Sequence, residues 1–235
     1  MTQRRVSFCL FIFIFLTYFL HAETPIYTNP FATHQHILKA IVENTTGPII
    51  EFGSGDGSTD MLHEICKKTH RTLITLDDDF NWLDRYRKKY IGYGYNPENS
   101  GWHKFYFVPG KIRASEDPKH WISFLSNFLP IQTLQFDVCF IDQAPWLARY
   151  ETIKLMKDKV HYIILHDCDY FPVKGIFGRI TKEPQWNRQI PGEFDFSDIF
   201  LFSKTYYPSK PWPGFTGPPT LVGSNFDNKF SSMCP

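Results

Sequence analysis

The chain is 235 residues long and 43% hydrophobic, which supports one well-buried core and little more than one domain. Lys and Arg number 25 against 24 Asp and Glu, a formal net charge of +1, so the composition gives no electrostatic footprint for a nucleic-acid partner. Beyond Cys9, the cysteines Cys66, Cys139, Cys168 and Cys234 are too scattered for a zinc site and too few for a disulfide scaffold, so buried free thiols are expected.

From the N-terminus, Arg4 and Arg5 precede an apolar run from Val6 to Leu20, with the small residue Ala22 shortly after it. A charged start, a short apolar stretch and a small residue predict a secretory signal over 1–22, followed by one domain over 23–235. Leu20, at the third position before the cut, is larger than the ideal residue. An uncleaved anchor, attaching the protein to a membrane through residues 6–20, therefore stays open. Either version places the domain outside the cytoplasm or at a membrane. Asn44-Thr45-Thr46 is a glycosylation sequon.

Ile37, Leu38, Ile41 and Val42 share one face of a helix over 34–44. His34 and His36, two apart, face different sides of it and make a poor metal pair. A strand at Ile49–Phe52 follows, then a glycine turn. Met61, Leu62, Ile65 and Cys66 repeat with helical spacing, with Ser58 or Thr59 as N-cap. Thr72–Leu76 reads as a strand ending at Asp77, and Phe80, Leu83, Tyr86 and Tyr90 as a helix. Within that helix, Arg85 to Lys89 form a basic run that reads as a solvated face. A Gly-, Asn- and Tyr-rich loop over 92–101 leads to a strand at Lys104–Val108. Trp121, Phe124, Leu125 and Phe128 mark one helix, Phe136–Ile141 a strand ending at Asp142, Leu147–Met156 a helix, and Tyr162–Leu165 a strand ending at His166-Asp167. Trp82, Trp121 and Trp146 read as core.

Alternating strands and helices predict an α/β fold, a parallel sheet covered on both faces. In such sheets the ligand crevice lies beyond the carboxyl ends of the strands, so Asp77, Asp142 and Asp167 should gather near the glycine turn. From about residue 183 the chain turns rich in proline and aromatics. Apolar runs at Asp198–Phe202 and Thr220–Val222 predict an antiparallel edge pair.

Gly53, Gly55 and Gly57 let the backbone turn sharply and approach a ligand closely. A dinucleotide site would want a small packing residue where Ser58 stands, and the acids Glu51 and Asp56 disfavour a pyrophosphate there. A positively charged ligand suits that field better. Glu-Phe-Gly-Ser-Gly-Asp-Gly (51–57) resembles the first motif of the class I S-adenosylmethionine-dependent methyltransferases. Leu-Ile-Thr-Leu-Asp (73–77) resembles their second strand. Phe-Asp-Val-Cys-Phe-Ile-Asp (136–142) and Tyr-Ile-Ile-Leu-His-Asp (162–167) resemble the fourth and fifth strands of the small-molecule O-methyltransferases similar to the catechol type.

That resemblance, covering about residues 34–170, implies a doubly wound, mostly parallel, seven-stranded Rossmann-like sheet that binds S-adenosylmethionine. It implies that Gly53, Gly55 and Gly57 line the methionine part of the cofactor. Glu51 would order the loop or bind the methionine ammonium, and Asp77 would take the ribose. Asp142 and Asp167 would hold Mg²⁺, an ion that favours oxygen ligands. The chain departs from the pattern at Cys168, a poor ligand for a hard cation, where the family has Asn. A metal-free site with His166 as general base competes with the metal version, and Asp142, His166 and Asp167 are the catalytic candidates under both. The methyl acceptor would be a small molecule or glycan. Two other readings stay open: a non-catalytic secreted binding protein on a degenerate fold of this kind, and a nucleotide-dependent oxidoreductase.

Overall fold

The computed structural model describes residues 31–92, 101–111, 117–168, 199–207 and 217–234. The predicted signal, the run at 6–20, most of the 92–101 loop and much of the proline-rich tail lie outside the described residues. Among those described, no helix is long and apolar enough to cross a membrane.

The described residues form, in chain order, α1 (Gln35–Glu43), β1 (Ile49–Phe52), α2 (Thr59–Thr69), β2 (Leu73–Asp77), α3 (Phe80–Tyr90), β3 (His103–Phe107), α4 (Lys119–Ser126), α5 (Leu129–Thr133), β4 (Phe136–Ile141), α6 (Trp146–Met156), β5 (Val160–His166), β6 (Phe202–Tyr206), β7 (Thr220–Ser224) and α7 (Phe230–Met233). The strands form one seven-stranded sheet in the order β3-β2-β1-β4-β5-β7-β6. The first five pair in parallel, and β7 runs antiparallel to β5 and β6. β1 lies inside the sheet between β2 and β4, with Ile49 in register with Leu73 on one side and Val138 on the other.

Alternation along the strands divides the core in two. Ile50, Phe52, Cys139, Ile141, Ile163 and Leu165 pack with Trp121 and Leu125 of α4 and Ile153 and Met156 of α6. Ile49, Val138, Phe140 and Ile164 pack with Ile37, Leu38, Ile41 and Val42 of α1 and Leu62 and Cys66 of α2. Both faces are therefore buried, which is why the central strands read as unbroken apolar runs. Cys66, Cys139, Cys168 and Cys234 are all buried, as small side chains within the fold. Asn44 caps the end of α1 at an exposed position.

Two boundaries differ from the sequence reading for identifiable reasons. The helix expected through Phe128 is two helices, because Pro130 lacks an N–H and its ring would meet the Ser126 carbonyl if the first helix continued. Pro130 instead sits in the first turn of α5, where its missing donor has no partner to lose. Of the run at 198–202, residues 199–201 precede β6, which begins at Phe202. Phe200 is buried while Leu201 is 75% exposed, and Asn225 fixes the turn by accepting from the Leu201 N–H at 2.7 Å and donating to the Ile199 carbonyl at 3.1 Å. Of the expected edge pair, β6 alone lies at the edge, because β7 lies inside the sheet. Trp121 is buried in the core, but Trp82 is 38% exposed.

The Phe200 ring fills the space over Gly223, where a Cβ would lie 2.5 Å from it. Gly223→Ala should therefore destabilise the fold by about 1–3 kcal/mol in urea unfolding, as overpacking does. Adding Phe200→Leu should recover part of the loss. Unchanged stability in the single variant would mean that Phe200 does not hold this position.

Candidate functional site

The carboxyl ends of β1, β2, β4 and β5 bring together the glycine turn and the strand-end acids. The three glycines serve three different purposes. Gly53 has φ +88°, and a Cβ on it would lie 2.7 Å from the backbone of Asp142 and Gln143, so it permits the turn to pack on the end of β4. A Cβ on Gly57 would lie 2.9 Å from the His34 ring. Only Gly55 has nothing within 4 Å of that position, and it is the one glycine of the turn that leaves open space for a ligand.

Glu51 is fully buried at the root of the turn. Ser58 Oγ and Thr59 Oγ1 donate to its Oε1 at 2.6 and 3.0 Å, and Thr75 Oγ1 donates to its Oε2 at 2.7 Å. Ser58 thus stands at the N-cap of α2 but spends its hydroxyl on Glu51, making no cap bond. This arrangement orders the loop and leaves Glu51 facing protein rather than open space. Thr75 Oγ1 also lies 3.0 Å from His103 Nε2, and His103 Nδ1 lies 2.9 Å from His63 Nδ1. The row of hydrogen bonds therefore extends from the turn to α2.

Asp77, at the end of β2, accepts from Ser54 N and Ser54 Oγ at 2.7 Å each, and from Asp79 N at 2.8 Å. Each carboxylate oxygen can accept further bonds, so Asp77 can still take a hydroxyl of a ligand beside the turn. Asp79, not Asp77, caps α3, accepting from Asn81 N and Trp82 N at 3.1 Å each. Trp82 Nε1 donates to the Ser54 carbonyl, with Arg85 over its ring. Trp82 therefore lines the turn instead of filling the core. The basic run is spread over surface pairs, Arg85 with Asp56, Arg87 and Lys88 with Asp84, and Lys89 with Asp60.

Asp142, His166 and Asp167 meet at the ends of β4 and β5, offering ligand atoms within 4.8 Å of one another. His166 Nδ1 lies 3.2 Å from Asp142 Oδ1, and its Nε2 lies 3.4 Å from Asp167 Oδ1 without making a hydrogen bond. Burial alone would lower the His166 pKa, but the carboxylates of Asp167 and Asp142 outweigh it and raise the value above the ordinary 6.5. Burial likewise opposes ionisation of Asp142, yet His166 and Arg149 hold it well below the usual carboxylate range. Asp167, with its guanidinium contact longer, is raised by burial.

Two residues here were not singled out by their sequence position as part of the site. His34, at the N-cap of α1, packs its ring 4.2 Å from that of His166, edge to face, and is kept neutral by burial and by His166. Its two ring nitrogens, His166 Nε2 and Thr220 Oγ1 are buried without a hydrogen-bond partner among the described residues. Thr220 stands opposite His166 across β5 and β7. Arg149, in the first turn of α6, leans back toward the helix start, as helical side chains do, and so reaches the strand ends. Nε donates to the Gln143 carbonyl at 2.7 Å. One terminal nitrogen donates to the His166 carbonyl at 2.7 Å, and the other to Asp142 Oδ1 at 2.8 Å and the Asp142 carbonyl at 3.1 Å. A cation one turn into a helix, amid buried Ala148, Thr152 and Ile153, is the sequence signal that marks it.

On distance alone the Asp142, His166 and Asp167 set could take a metal ion. The charges argue otherwise. Arg149 already pairs with Asp142 Oδ1 at 2.8 Å and faces Asp167 Oδ2 at 3.5 Å, so a fixed cation already holds the place between the two carboxylates. The donor set as arranged does not fit Mg²⁺. The open side of Gly55 and the acid at Asp77 do fit an adenosine-bearing, positively charged ligand.

The strand order, the glycine turn after β1 and the acids at the ends of β2, β4 and β5 define a Rossmann-like methyltransferase fold. No known protein family and no curated protein matches the chain by sequence. By structure it is similar to spermidine synthase from Thermotoga maritima, at 13% identity and TM-score 0.50, over 88% of this chain and 63% of that one. It is similar also to a spermidine synthase in complex with the transition-state analogue AdoDATO, at 13% identity and TM-score 0.49, over the same shares of each chain. A third likeness is to human methyltransferase 10 domain containing protein, at 13% identity and TM-score 0.41, over 81% of this chain and 78% of that one. The chain spans less than two thirds of the length of both spermidine synthases, and at these identities the likeness is one of fold.

Burial raises the Glu51 pKa from its ordinary 4.5 to about 7, with the hydrogen bonds from Ser58, Thr75 and Thr59 opposing it only in part. The folded state therefore binds this proton more tightly than the unfolded chain does. Its contribution to stability should fall as pH rises from 4.5 to about 7 and stay level above that. Glu51→Gln should remove a fall on the order of 1–3 kcal/mol across that window, read from denaturant unfolding at several pH values. An identical pH profile in the variant would contradict the shifted carboxyl.

Proposed function

We propose that the chain is an S-adenosylmethionine-dependent methyltransferase acting on a small-molecule or glycan acceptor. The observation that carries this reading is the arrangement of His166, fixed by Asp142 and placed at the strand ends of a methyltransferase fold beside the open turn at Gly55. S-adenosylmethionine, when bound, supplies a methyl group on a sulfonium, an electrophile that needs no further activation. Gly55 would give its backbone access, and Asp77 would hold a hydroxyl of its ribose.

The chain's own residues then have to position the acceptor and take its proton. Asp142, ionised, accepts from His166 Nδ1–H, which fixes the tautomer with the lone pair on Nε2. Nε2 would then take the proton of the acceptor's oxygen or nitrogen. The buried atoms of His34 and Thr220 that find no partner among the described residues support a polar acceptor, because they leave hydrogen bonds for it to fill. The predicted signal at 1–22 adds the proposal that this chemistry is delivered to the secretory route or a membrane surface.

Calorimetry with S-adenosylmethionine and S-adenosylhomocysteine tests the reading. Gly55→Val should leave the melting temperature within a few degrees, since its Cβ meets nothing, and abolish binding of both. Asp77→Ala should weaken binding by about 1.5–3 kcal/mol through a lost charge-assisted bond. Absence of binding by the wild-type protein would reject the proposal.

Once an acceptor is found in a methylation screen, activity should decline as pH falls through the raised pKa of His166, because protonation removes the base. His166→Ala should lower the rate about 100-fold or more and flatten that limb of the profile. A profile unchanged by the substitution would move the base elsewhere.

A further inference from the structure

We infer that Arg149 is a built-in substitute for the divalent cation that the resemblance to catechol-type enzymes would place between Asp142 and Asp167. One terminal guanidinium nitrogen lies 2.8 Å from Asp142 Oδ1, and the other 3.5 Å from Asp167 Oδ2. A single cation therefore faces both carboxylates, which is the task of the metal in the implied arrangement. The rest of the fork is fixed by the carbonyls of Asp142, Gln143 and His166 at the ends of two neighbouring strands. Withdrawing the side chain to admit an ion would leave those buried acceptors unpaired. It would also strip support from Asp167, whose backbone is left-handed at φ +51° and whose preceding carbonyl is the one Arg149 binds.

The exposures point the same way. The Arg149 and His166 side chains are 5% and 6% exposed, whereas those of Asp142 and Asp167 are 28% and 18% exposed. The positive charge thus lies behind the carboxylates and the carboxylates face the opening. A metal serving the reaction would have to sit on the open side, with Arg149 directly behind its ligands. Cys168, where the implied pattern has Asn, is fully buried and offers nothing on that side. Arg149 is a positioning residue: it keeps Asp142 ionised and oriented, so that Asp142 can hold His166.

The inference rests on reading Asp142, His166 and Asp167 as the reacting site, and its test is independent of turnover and of cofactor binding. Loss of the methyltransferase reading would show in the calorimetry above, whereas loss of this one shows in metal binding. Mn²⁺ binding by the full chain, followed by electron paramagnetic resonance, is the measurement. The wild-type protein should show no binding that Asp142→Asn removes. Arg149→Gln should gain one Mn²⁺ per chain with a roughly tenfold or greater rise in affinity, lost again in the Arg149→Gln, Asp142→Asn double variant. Arg149→Lys, which keeps the charge, should still exclude the ion. Binding by the wild type that depends on Asp142 would overturn the inference, and so would a folded Arg149→Gln protein that gains none. Should Arg149→Gln fail to fold, the guanidinium protons of the wild type decide. They should be resolved and slow to rotate by NMR and lose that restraint in Asp142→Asn, and a freely rotating guanidinium would overturn the inference.

Discussion

The site depends first on a steric fact, the approach of Gly53 to the backbone of Asp142 and Gln143. β1 and β4 are paired neighbours, and their chains leave the sheet at the same level. Without a side chain at Gly53 the turn after β1 can lie on the turn after β4. In the proposed function, that contact would join a place for the cofactor, at Gly55, to a place for proton transfer, at His166. The sheet supplies the neighbouring strands, and one missing Cβ supplies the closeness.

Two carboxylates are handled in opposite ways within this small region. Glu51, fully buried, is surrounded by hydroxyls and left without a cation, so burial prevails and its proton is held tightly. Asp142, only partly buried, has a guanidinium and an imidazole against it and stays ionised. The first keeps the turn rigid; the second keeps a histidine in one tautomer. Neutral donors suit a structural carboxyl, whereas a full countercharge suits one that must remain an anion while a proton passes beside it.

Strands β1, β2, β4 and β5 were legible in the sequence because each is a short, mostly apolar run, and burial on both faces makes that pattern conspicuous. Asp77, Asp142 and Asp167 could be placed together for the same reason, since the ends of parallel strands share one edge of the sheet. His34 could not. Its position at a helix start suggests capping, and its contact with His166 exists only because α1 crosses the sheet near β4 and β5. Arg149 was hidden by separation, lying 7 residues from Asp142 and 18 from Asp167. The tail was misread in a different way. Phe200 and Leu201 form a continuous apolar pair in sequence, yet one fills the hollow over Gly223 and the other faces water.

The hydrogen-bonded row from Glu51 through Thr75 and His103 to His63 has a direction as well as a path. A hydroxyl has one proton, so when Thr75 donates to an ionised Glu51 its oxygen can only receive from His103 Nε2–H. His103 Nδ1 is then an acceptor, and His63 must present its proton on Nδ1. The state of one carboxyl under the glycine turn therefore dictates the tautomers of two imidazoles, the farther of them on α2. If Glu51 takes up a proton and donates it to Thr75, every bond in the row can reverse its polarity in turn, with no heavy atom displaced.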